Sequence, residues 1–396
     1  MVSAANDARI PLVPYGGGSG LMGAAVSLTP GIVVDLRRMN SVLEIDTMSS
    51  TARVQAGMVL GALESELHHS GLMLGHDPWT LPVATVGGAV STDSLGYRGG
   101  KYGSIGSQVL GVEAVLPGGQ VCRTRAVSKT STGINLNHLF IGGEGCFGIL
   151  TEVTLRAFPF PETRTLHAVR FDSFALGFEA VREVFGAGLQ PILLDYGDES
   201  EDPDGSAILY IGFEGKTEIV AAEEGVARAM WAVRGGQILA PDKAERFWGE
   251  RHAAALRFAA KRNERRRPGG NGVHQDWVHV ALPASQVLAF RREAVEMAAE
   301  HAVRFRESGL WTGPELFSLR LSKEGGERAR AELGDTILAL LRRVHGFGGS
   351  VEYCHGVGIK LAPLMAGEHG HGLEIMRSIK RALDPGGIMN PGKLGL

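Results

Sequence analysis

The 396-residue sequence has little of several features that would place it in a specialised class of protein. Its three cysteines, Cys122, Cys146 and Cys354, are odd in number and far apart, which argues against a disulfide framework and against a zinc site. The formal net charge is only −3, so composition gives no electrostatic case for nucleic-acid binding. No apolar run reaches the roughly 18–20 residues of a membrane span. We therefore expect a cytoplasmic globular protein of about two domains.

Glycine is the residue that the sequence has in excess, with 56 copies against a usual share of roughly 7%. The glycines concentrate at 16–23, 96–111 and 142–148 and form no periodic repeat. A backbone without Cβ atoms can turn at positive φ and can bring several N–H groups close to an anion. Three such clusters therefore indicate loops around a ligand.

The first cluster lies between two short apolar runs, which predicts a strand, a loop and a second strand. The loop reads Pro-Tyr-Gly-Gly-Gly-Ser-Gly from Pro14 to Gly20 and offers backbone amides and one hydroxyl to a pyrophosphate. No long helical pattern starts at the loop, so it differs from the usual G-x-G-x-x-G fingerprint. A flexible surface loop is the alternative for this stretch taken alone.

Three later stretches, at residues 79–85, 92–95 and 144–150, strengthen the ligand interpretation. In order, spacing and residue types, residues 10–160 resemble the PCMH-type FAD-binding domain of the vanillyl-alcohol oxidase superfamily. The resemblance implies that FAD lies with its pyrophosphate on the first loop and its flavin and ribityl side against the later ones. The residues that it assigns to FAD are Pro14, Tyr15, Gly16, Gly17, Gly18, Ser19, Gly20, Trp79, Thr80, Leu81, Pro82, Val83, Ala84, Thr85, Thr92, Asp93, Ser94, Leu95, Glu144, Gly145, Cys146, Phe147, Gly148, Ile149, Leu150 and Asn390.

Two departures from the family pattern carry expectations. Covalent members have a His beside the first loop or a Cys in the second stretch, and this sequence has neither, so the resemblance implies noncovalent FAD. Members also have about two strands and a helix before the first loop, whereas nine residues precede Ile10 here. We therefore expect an N-terminally short domain whose first strands are missing, with weaker FAD binding.

The fold class predicted is α+β, with a change of composition after Pro159-Phe160-Pro161. We expect a PCMH-type FAD-binding domain at 1–158 and an α+β cap domain with an antiparallel sheet at 159–370. A C-terminal segment at 371–396 carries a family-like D-P-x-x-x-x-N-P-G-K motif and should return to the FAD-binding domain. The basic run of Arg262 and residues 265–267 is expected to be a solvated helix end.

Residues 348–358 resemble the segment that brings a histidine over the flavin ring in this superfamily. The resemblance implies that His355 is the catalytic base and that Tyr353 adds a proton relay or a hydrogen bond. A buried histidine satisfied by backbone is the alternative for His355. Arg251 lies in a stretch that resembles a substrate-facing Trp–Arg patch, which would hold an anionic substrate in bidentate fashion. A surface arginine in an ion pair is the alternative there.

Two branches of the superfamily compete for the function. D-2-hydroxy-acid dehydrogenases carry Glu-His-Gly and alkylglycerone-phosphate synthases carry three histidines, whereas this chain has Tyr353-Cys354-His355. Because the Glu of metal-binding members is absent before His355, no metal is expected. The favoured function is oxidation of a small, anionic hydroxy compound, a 2-hydroxy acid, by hydride transfer to flavin N5. A synthase-like ether-lipid enzyme and a truncated inactive flavoprotein are the alternatives; the electron acceptor is unknown and a homodimer is left open.

Overall fold

The structure is a computed structural model that describes residues 1–261 and 272–396; the basic run at Arg262 and 265–267 lies outside the described residues. Its strands are β1 Leu12–Tyr15, β2 Ile32–Asp35, β3 Val42–Asp46, β4 Thr51–Gln55, β5 Leu72–Met73, β6 Val109–Val115, β7 Val121–Arg123, β8 Ile149–Arg156, β9 Phe158–Pro159, β10 Thr163–Phe171, β11 Leu193–Asp198, β12 Ala207–Gly215, β13 Gln237–Ile238, β14 Val273–Ala281, β15 Arg304–Trp311 and β16 Leu316–Glu324.

Its helices are α1 Val2–Asp7, α2 Leu60–His69, α3 Val86–Ser91, α4 Gly99–Tyr102, α5 Ile105–Gln108, α6 Phe174–Gly186, α7 Thr217–Val233, α8 Pro241–Glu250, α9 Ala253–Lys261, α10 Ala284–Glu300, α11 Glu327–Val344, α12 Met365–His369 and α13 His371–Leu383. Short 3-10 turns lie at Leu136–Leu139, His345–Phe347 and Ala362–Leu364. This mixture of helices and antiparallel sheets confirms the predicted α+β class.

The N-terminal part is built on a five-stranded antiparallel sheet of order β3-β4-β8-β6-β7, with β1 and β2 paired in parallel beside it. Helix α2 buries Leu60, Leu63 and Leu67 against this sheet, as their helical spacing predicts. The C-terminal segment joins β1, because Leu12 donates its N–H to the Ile388 carbonyl at 2.7 Å and accepts from Asn390 at 2.8 Å. The segment therefore ends beside the first glycine loop.

The remaining strands form a seven-stranded sheet of order β13-β10-β12-β11-β15-β16-β14, antiparallel throughout. Helices α6, α7, α10 and α11 cover one face and share its apolar core. Helix α6 begins at a Ser173 cap that accepts the Leu176 N–H, and it buries Phe174, Phe178 and Val181 at helical spacing. Side chains alternate along strands, so the opposite face of this sheet is left for other residues.

A buried ion cluster joins the two sheets' domains. Arg98 lies between Glu64 at 2.9 Å and Glu214 at 3.4 Å, and all three side chains are nearly or completely buried. Close by, Asp77 accepts from Arg251 at 2.9 Å and contacts His252 at 2.7 Å. Although burial alone raises the pKa of Asp77, these cations hold it below its ordinary value. Asp77 is therefore ionised, and the contacts of the cluster fix residues 74–79 against the cap.

Replacing Arg98 with Met should destabilise the protein by about 3–5 kcal/mol, because buried Glu64 and Glu214 would both lose a buried cation and Glu214 would keep only the partly exposed Arg164. The free energy of unfolding in urea is the measurement. Arg123→Met is the matched control, since Arg123 pairs with Glu113 at an exposed site where such a pair contributes about 1 kcal/mol or less. Equal, small effects of the two substitutions would show that the cluster does not hold the domains together.

Candidate active site

A first cavity of about 270 Å³ opens beside the first glycine loop. Its wall contains most of the residues predicted to bind FAD, including every residue of the loop. The predicted residues that line it are Pro14, Tyr15, Gly16, Gly17, Gly18, Ser19, Gly20, Trp79, Thr80, Ala84, Thr85, Thr92, Ser94, Leu95, Glu144, Gly145, Gly148 and Leu150. Four stretches far apart in the sequence therefore converge on one elongated, glycine-rich space.

Glycine is required at two points of the loop because other backbone and side-chain atoms approach it closely. A Cβ on Gly16 would lie 2.3 Å from Thr85 Oγ1, and one on Gly17 would lie 2.3 Å from the Val83 carbonyl oxygen. Thr85 in turn caps α3 by accepting the Gly88 N–H at 3.3 Å. A bare backbone packed against this cap leaves room for a flat or phosphorylated ligand, so the residues present fit FAD.

Eight residues predicted to contact FAD lie behind this wall instead: Leu81, Pro82, Val83, Asp93, Cys146, Phe147, Ile149 and Asn390. Their side chains have other partners. Asp93 accepts the Gly106 N–H at 2.9 Å, Cys146 is buried against the C-terminal segment, and Asn390 Nδ2 donates to the Glu144 carbonyl at 2.6 Å. The motif stretches supply most of the cavity wall, and these eight residues support it from behind; their contacts with FAD stay predictions.

The sequence analysis missed wall residues on either side of its motifs. Residues 23–26 follow the first loop, and residues 87–89 lie at the start of α3, just after Thr85. The signal was the run of small residues that continues past each motif, since small side chains let a ligand approach the backbone.

A second cavity, of about 510 Å³, lies on the face of the seven-stranded sheet opposite α6, α7, α10 and α11, where α8 covers part of the sheet and contributes Lys243 to the wall. Cross-strand pairing makes its floor. One row of neighbours is Ile208, Gly197, Gly309, Ser318 and His279, which runs across five strands. The centre of this row consists of two glycines and a serine, whose small side chains leave space above the sheet. Larger side chains border that space.

Three residues line both cavities: Trp79, Cys354 and His355. Trp79 comes from the FAD-binding domain, and the other two come from the Tyr-Cys-His segment. The His355 ring lies 4.6 Å from that of His279 on the sheet floor, centroid to centroid. His355 is therefore at the junction between the predicted cofactor space and a space large enough for a substrate, as the resemblance implied.

Two carboxylates hold the His355 segment in place. Glu144 accepts the N–H groups of Val357 at 2.6 Å and Gly358 at 2.9 Å. Glu352 Oε1 accepts the N–H groups of Cys354 at 2.7 Å and His355 at 2.9 Å. Neither Glu was predicted to act in this way, because both bonds depend on how a turn folds and not on a spacing pattern.

Glu352 also sets the charge of His355, whose Nδ1 lies 3.4 Å from Glu352 Oε1. Burial lowers the pKa of His355, but the Cys354 sulfur and the Glu352 carboxylate outweigh it and raise that pKa well above its ordinary value. Burial and the neighbouring His355 lower the pKa of His279 to about 3, so His279 is neutral. The pair thus contains one strong base and one neutral ring.

The other two predicted catalytic residues have different placements. Tyr353 lines the second cavity, and burial raises its pKa well above the usual value, so it stays a phenol.

Arg251 is not brought to the wall of either cavity. Its guanidinium donates to Asp77 and to the Trp248 carbonyl, and it stacks 3.9 Å above the Trp248 ring. The ion-paired alternative describes Arg251, because Nε donates to a buried carboxylate 174 residues away and Nη1 donates to the Trp248 carbonyl.

The donor atoms of His279, Glu352 and His355 lie within 4.8 Å of one another, a grouping that the sequence analysis did not foresee. It considered only the residue before His355, whereas Glu352 reaches the ring from three residues away. Glu352 Oε1 is already occupied by backbone N–H groups. The absence of a metal stays a prediction, which elemental analysis of purified protein can check.

Family comparison agrees with this arrangement of a cofactor space and a cap. Residues 1–125 match the family described as FAD binding domain, and residues 160–394 match the one described as FAD linked oxidases, C-terminal domain. The chain belongs to the FAD-linked oxidases. FAD is therefore its cofactor, and its activity is that of an oxidoreductase, as the sequence analysis predicted.

The oxidase is similar over nearly its whole length to curated relatives at low identity. It is 27% identical to the glycolate oxidase subunit GlcD of Bacillus subtilis (strain 168), covering 98% of this chain and 84% of the relative. It is 28% identical to a D-lactate dehydrogenase of Anaerostipes hadrus, covering 100% and 86%. It is 26% identical to the alkyldihydroxyacetonephosphate synthase of Dictyostelium discoideum, covering 100% and 70%.

Solved structures share the fold of the oxidase. An alkyldihydroxyacetonephosphate synthase matches with a TM-score of 0.80 at 21% identity, over 99% of this chain and 74% of the other. A p-cresol methylhydroxylase with substrate bound matches with a TM-score of 0.79 at 19% identity, over 100% and 86%. The PCMH-type fold of the FAD-binding domain is thereby confirmed. Across the described residues, no helix has the length and apolarity to cross a membrane.

Gly17→Val should deplete the purified oxidase of flavin, because the branched side chain enters the space between the loop and the Val83 carbonyl. The ratio of flavin absorbance to protein absorbance is the measurement. Gly225→Ala is the control, since Gly225 lies on exposed α7 and an added Cβ there meets nothing within 4 Å. Full flavin occupancy in Gly17→Val would overturn the assignment of the first loop.

Proposed function

We propose that this FAD-linked oxidoreductase dehydrogenates a small hydroxy compound bound in the second cavity, with His355 as the base. The single observation that carries the proposal is that His355 lines both cavities. FAD, when bound, accepts a hydride from a carbon donor. A base that removes the hydroxyl proton makes the neighbouring C–H a better hydride donor. A histidine between the two spaces is placed to do so.

The protonation geometry of His355 supports this role. Nδ1 faces Glu352, so Nε2 is the nitrogen left to receive the hydroxyl proton. The imidazolium formed by that transfer lies beside the Glu352 carboxylate, which stabilises it. Tyr353 remains protonated and can donate a hydrogen bond to the substrate oxygen from the same cavity wall. The donor carbon loses a hydride and its oxygen loses a proton, so a carbonyl compound is the product.

The identity of the hydroxy compound is the finer part of the proposal. Relatives named as D-lactate dehydrogenase and glycolate oxidase subunit support a 2-hydroxy acid. Arg251, which was expected to hold its carboxylate, is engaged by Asp77. Two cations line the cavity, Lys243 and Arg320, and Nη2 of Arg320 lies 3.0 Å from Glu307 Oε2. If the donor is a 2-hydroxy acid, Arg320 takes the place proposed for Arg251.

A synthase-like activity is the second candidate, supported by the relative in Dictyostelium discoideum. Alkylglycerone-phosphate synthases carry three successive histidines, of which this chain has only His355. This difference favours dehydrogenation. We also propose that FAD is held noncovalently, since the first loop and the stretch at 79–85 contain no His or Cys. The cytoplasmic location, the electron acceptor and a homodimer stay open to experiment.

His355→Ala should slow flavin reduction by roughly 10²–10⁴-fold while FAD stays bound, which is the usual range for loss of a general base. Anaerobic stopped-flow measurement of flavin bleaching gives the rate, and the visible spectrum gives the occupancy. His345→Ala is the control: His345 pairs with Glu368 and lies outside both cavity walls. A parent-like reduction rate in His355→Ala would remove His355 from the proposal.

The rate of flavin reduction should rise with pH through a pKa well above that of an ordinary histidine, because only neutral His355 accepts a proton and Cys354 and Glu352 raise its pKa against the effect of burial. Glu352→Gln removes the negative charge and should move this rise to lower pH. Reduction rates measured across a pH series in both proteins test the shift. An unchanged or upward-shifted inflection in Glu352→Gln would contradict the pairing of Glu352 with His355.

A further inference from the structure

The second cavity carries an excess of acidic side chains. Its wall holds four carboxylates and two cations: Asp195, Asp198, Glu199, Glu307, Lys243 and Arg320. Three of the carboxylates have partners. Asp198 pairs with Arg291 at 2.9 Å, Glu199 with Arg170 at 2.7 Å, and Glu307 with Arg320 at 3.0 Å. Both cations on the wall are also in ion pairs, since Arg320 pairs with Glu307 and Lys243 lies 3.8 Å from Glu199.

Asp195 is the exception on this wall, because its carboxylate has no hydrogen bond or ion pair with any residue that the structure describes. It lies in the middle of β11 and is only partly exposed. Burial, together with the nearby Glu307, raises its pKa to about 7. A carboxylate in this position costs free energy unless a cation or hydrogen-bond donor meets it. The structure of the described residues supplies none.

Aromatic rings surround Asp195. Tyr210 on β12 and Trp311 on β15 are its cross-strand partners, so the three side chains stand side by side on the cavity floor. Tyr97 packs edge-on against Trp311 at 5.4 Å. The Tyr353 ring comes close enough for Asp195 to influence its pKa. A carboxylate flanked by aromatic residues on neighbouring strands is a site that suits an organic cation, through charge pairing and cation–π attraction.

We propose that the hydroxy compound oxidised here carries a protonated amino group, which binds at Asp195 between Tyr210 and Trp311. The inference rests on the proposed dehydrogenation and narrows its substrate class. The hydroxyl-bearing carbon of such a compound would extend toward Tyr353 and His355 on the same wall. An anionic substrate, by contrast, meets an uncompensated carboxylate and finds its cations already paired among the described residues.

Three probes with one carbon skeleton separate the possibilities: 2-amino-1-phenylethanol, 1-phenylethane-1,2-diol and mandelate, which are cationic, neutral and anionic. Binding to the FAD-loaded protein is measured by calorimetry, at a pH above the pKa of Asp195. The amino alcohol should bind about tenfold or more tightly than mandelate, as expected for a charge-assisted hydrogen bond. Anaerobic flavin bleaching by each probe is followed in parallel.

Asp195→Asn keeps the shape of the side chain and removes its charge. It should weaken binding of the amino alcohol by about tenfold relative to the diol. Asp172→Asn is the control, because Asp172 is exposed and lies outside the cavity wall; it should leave the ratio unchanged. Tighter binding of mandelate than of the amino alcohol, or an unchanged ratio in Asp195→Asn, would overturn the inference.

The two readouts distinguish this inference from the proposed function. Asp195-dependent binding of the amino alcohol without flavin bleaching by any probe would support the cation site and contradict the dehydrogenation. Bleaching by mandelate, with mandelate also the tightest ligand, would support the dehydrogenation and contradict the cation site.

Discussion

The arrangement of the site depends on one set of hydrogen bonds, in which the backbone amides of Val357 and Gly358 donate to the Glu144 carboxylate. Glu144 belongs to the third glycine-rich loop of the FAD-binding domain, and the two amides follow His355 in the cap. Asn390 of the C-terminal segment donates to the Glu144 carbonyl. One residue thus ties three parts of the chain together, and the histidine between the two cavities is placed as a result. Burial raises the pKa of Glu144 although the amides oppose it.

The seam between the domains uses charge where a protein core would ordinarily use apolar contacts. Arg98 and Asp77 are buried with partners from both domains. Buried ion pairs contribute little net stability compared with apolar packing, but they demand one geometry, because a misaligned pair leaves a charge without a partner. Such a seam suits an enzyme whose proposed base, His355, and cofactor space come from different domains and must keep a fixed separation.

The sequence allowed the antiparallel cap sheet to be predicted, because strand patterns depend on local composition. The cofactor loop and the role of His355 rest on motifs and stay predictions, although both stretches line a cavity. Arg251 was misplaced for a physical reason: its partner Asp77 is 174 residues distant, and no spacing pattern reports that pairing. Glu352 and Asp195 escaped notice for similar reasons. One acts through a tight turn, and the other gains its environment from cross-strand neighbours on β12 and β15.

We propose that a hydroxyl-bearing carbon of the substrate gives a hydride to FAD while His355 takes the hydroxyl proton. The most direct test is anaerobic stopped-flow reduction of the flavin by a donor carrying deuterium at that carbon, compared with the undeuterated donor. We expect the deuterated donor to bleach the flavin several-fold more slowly than the undeuterated donor. Equal rates, or turnover of substrate without net bleaching of the flavin, would contradict it.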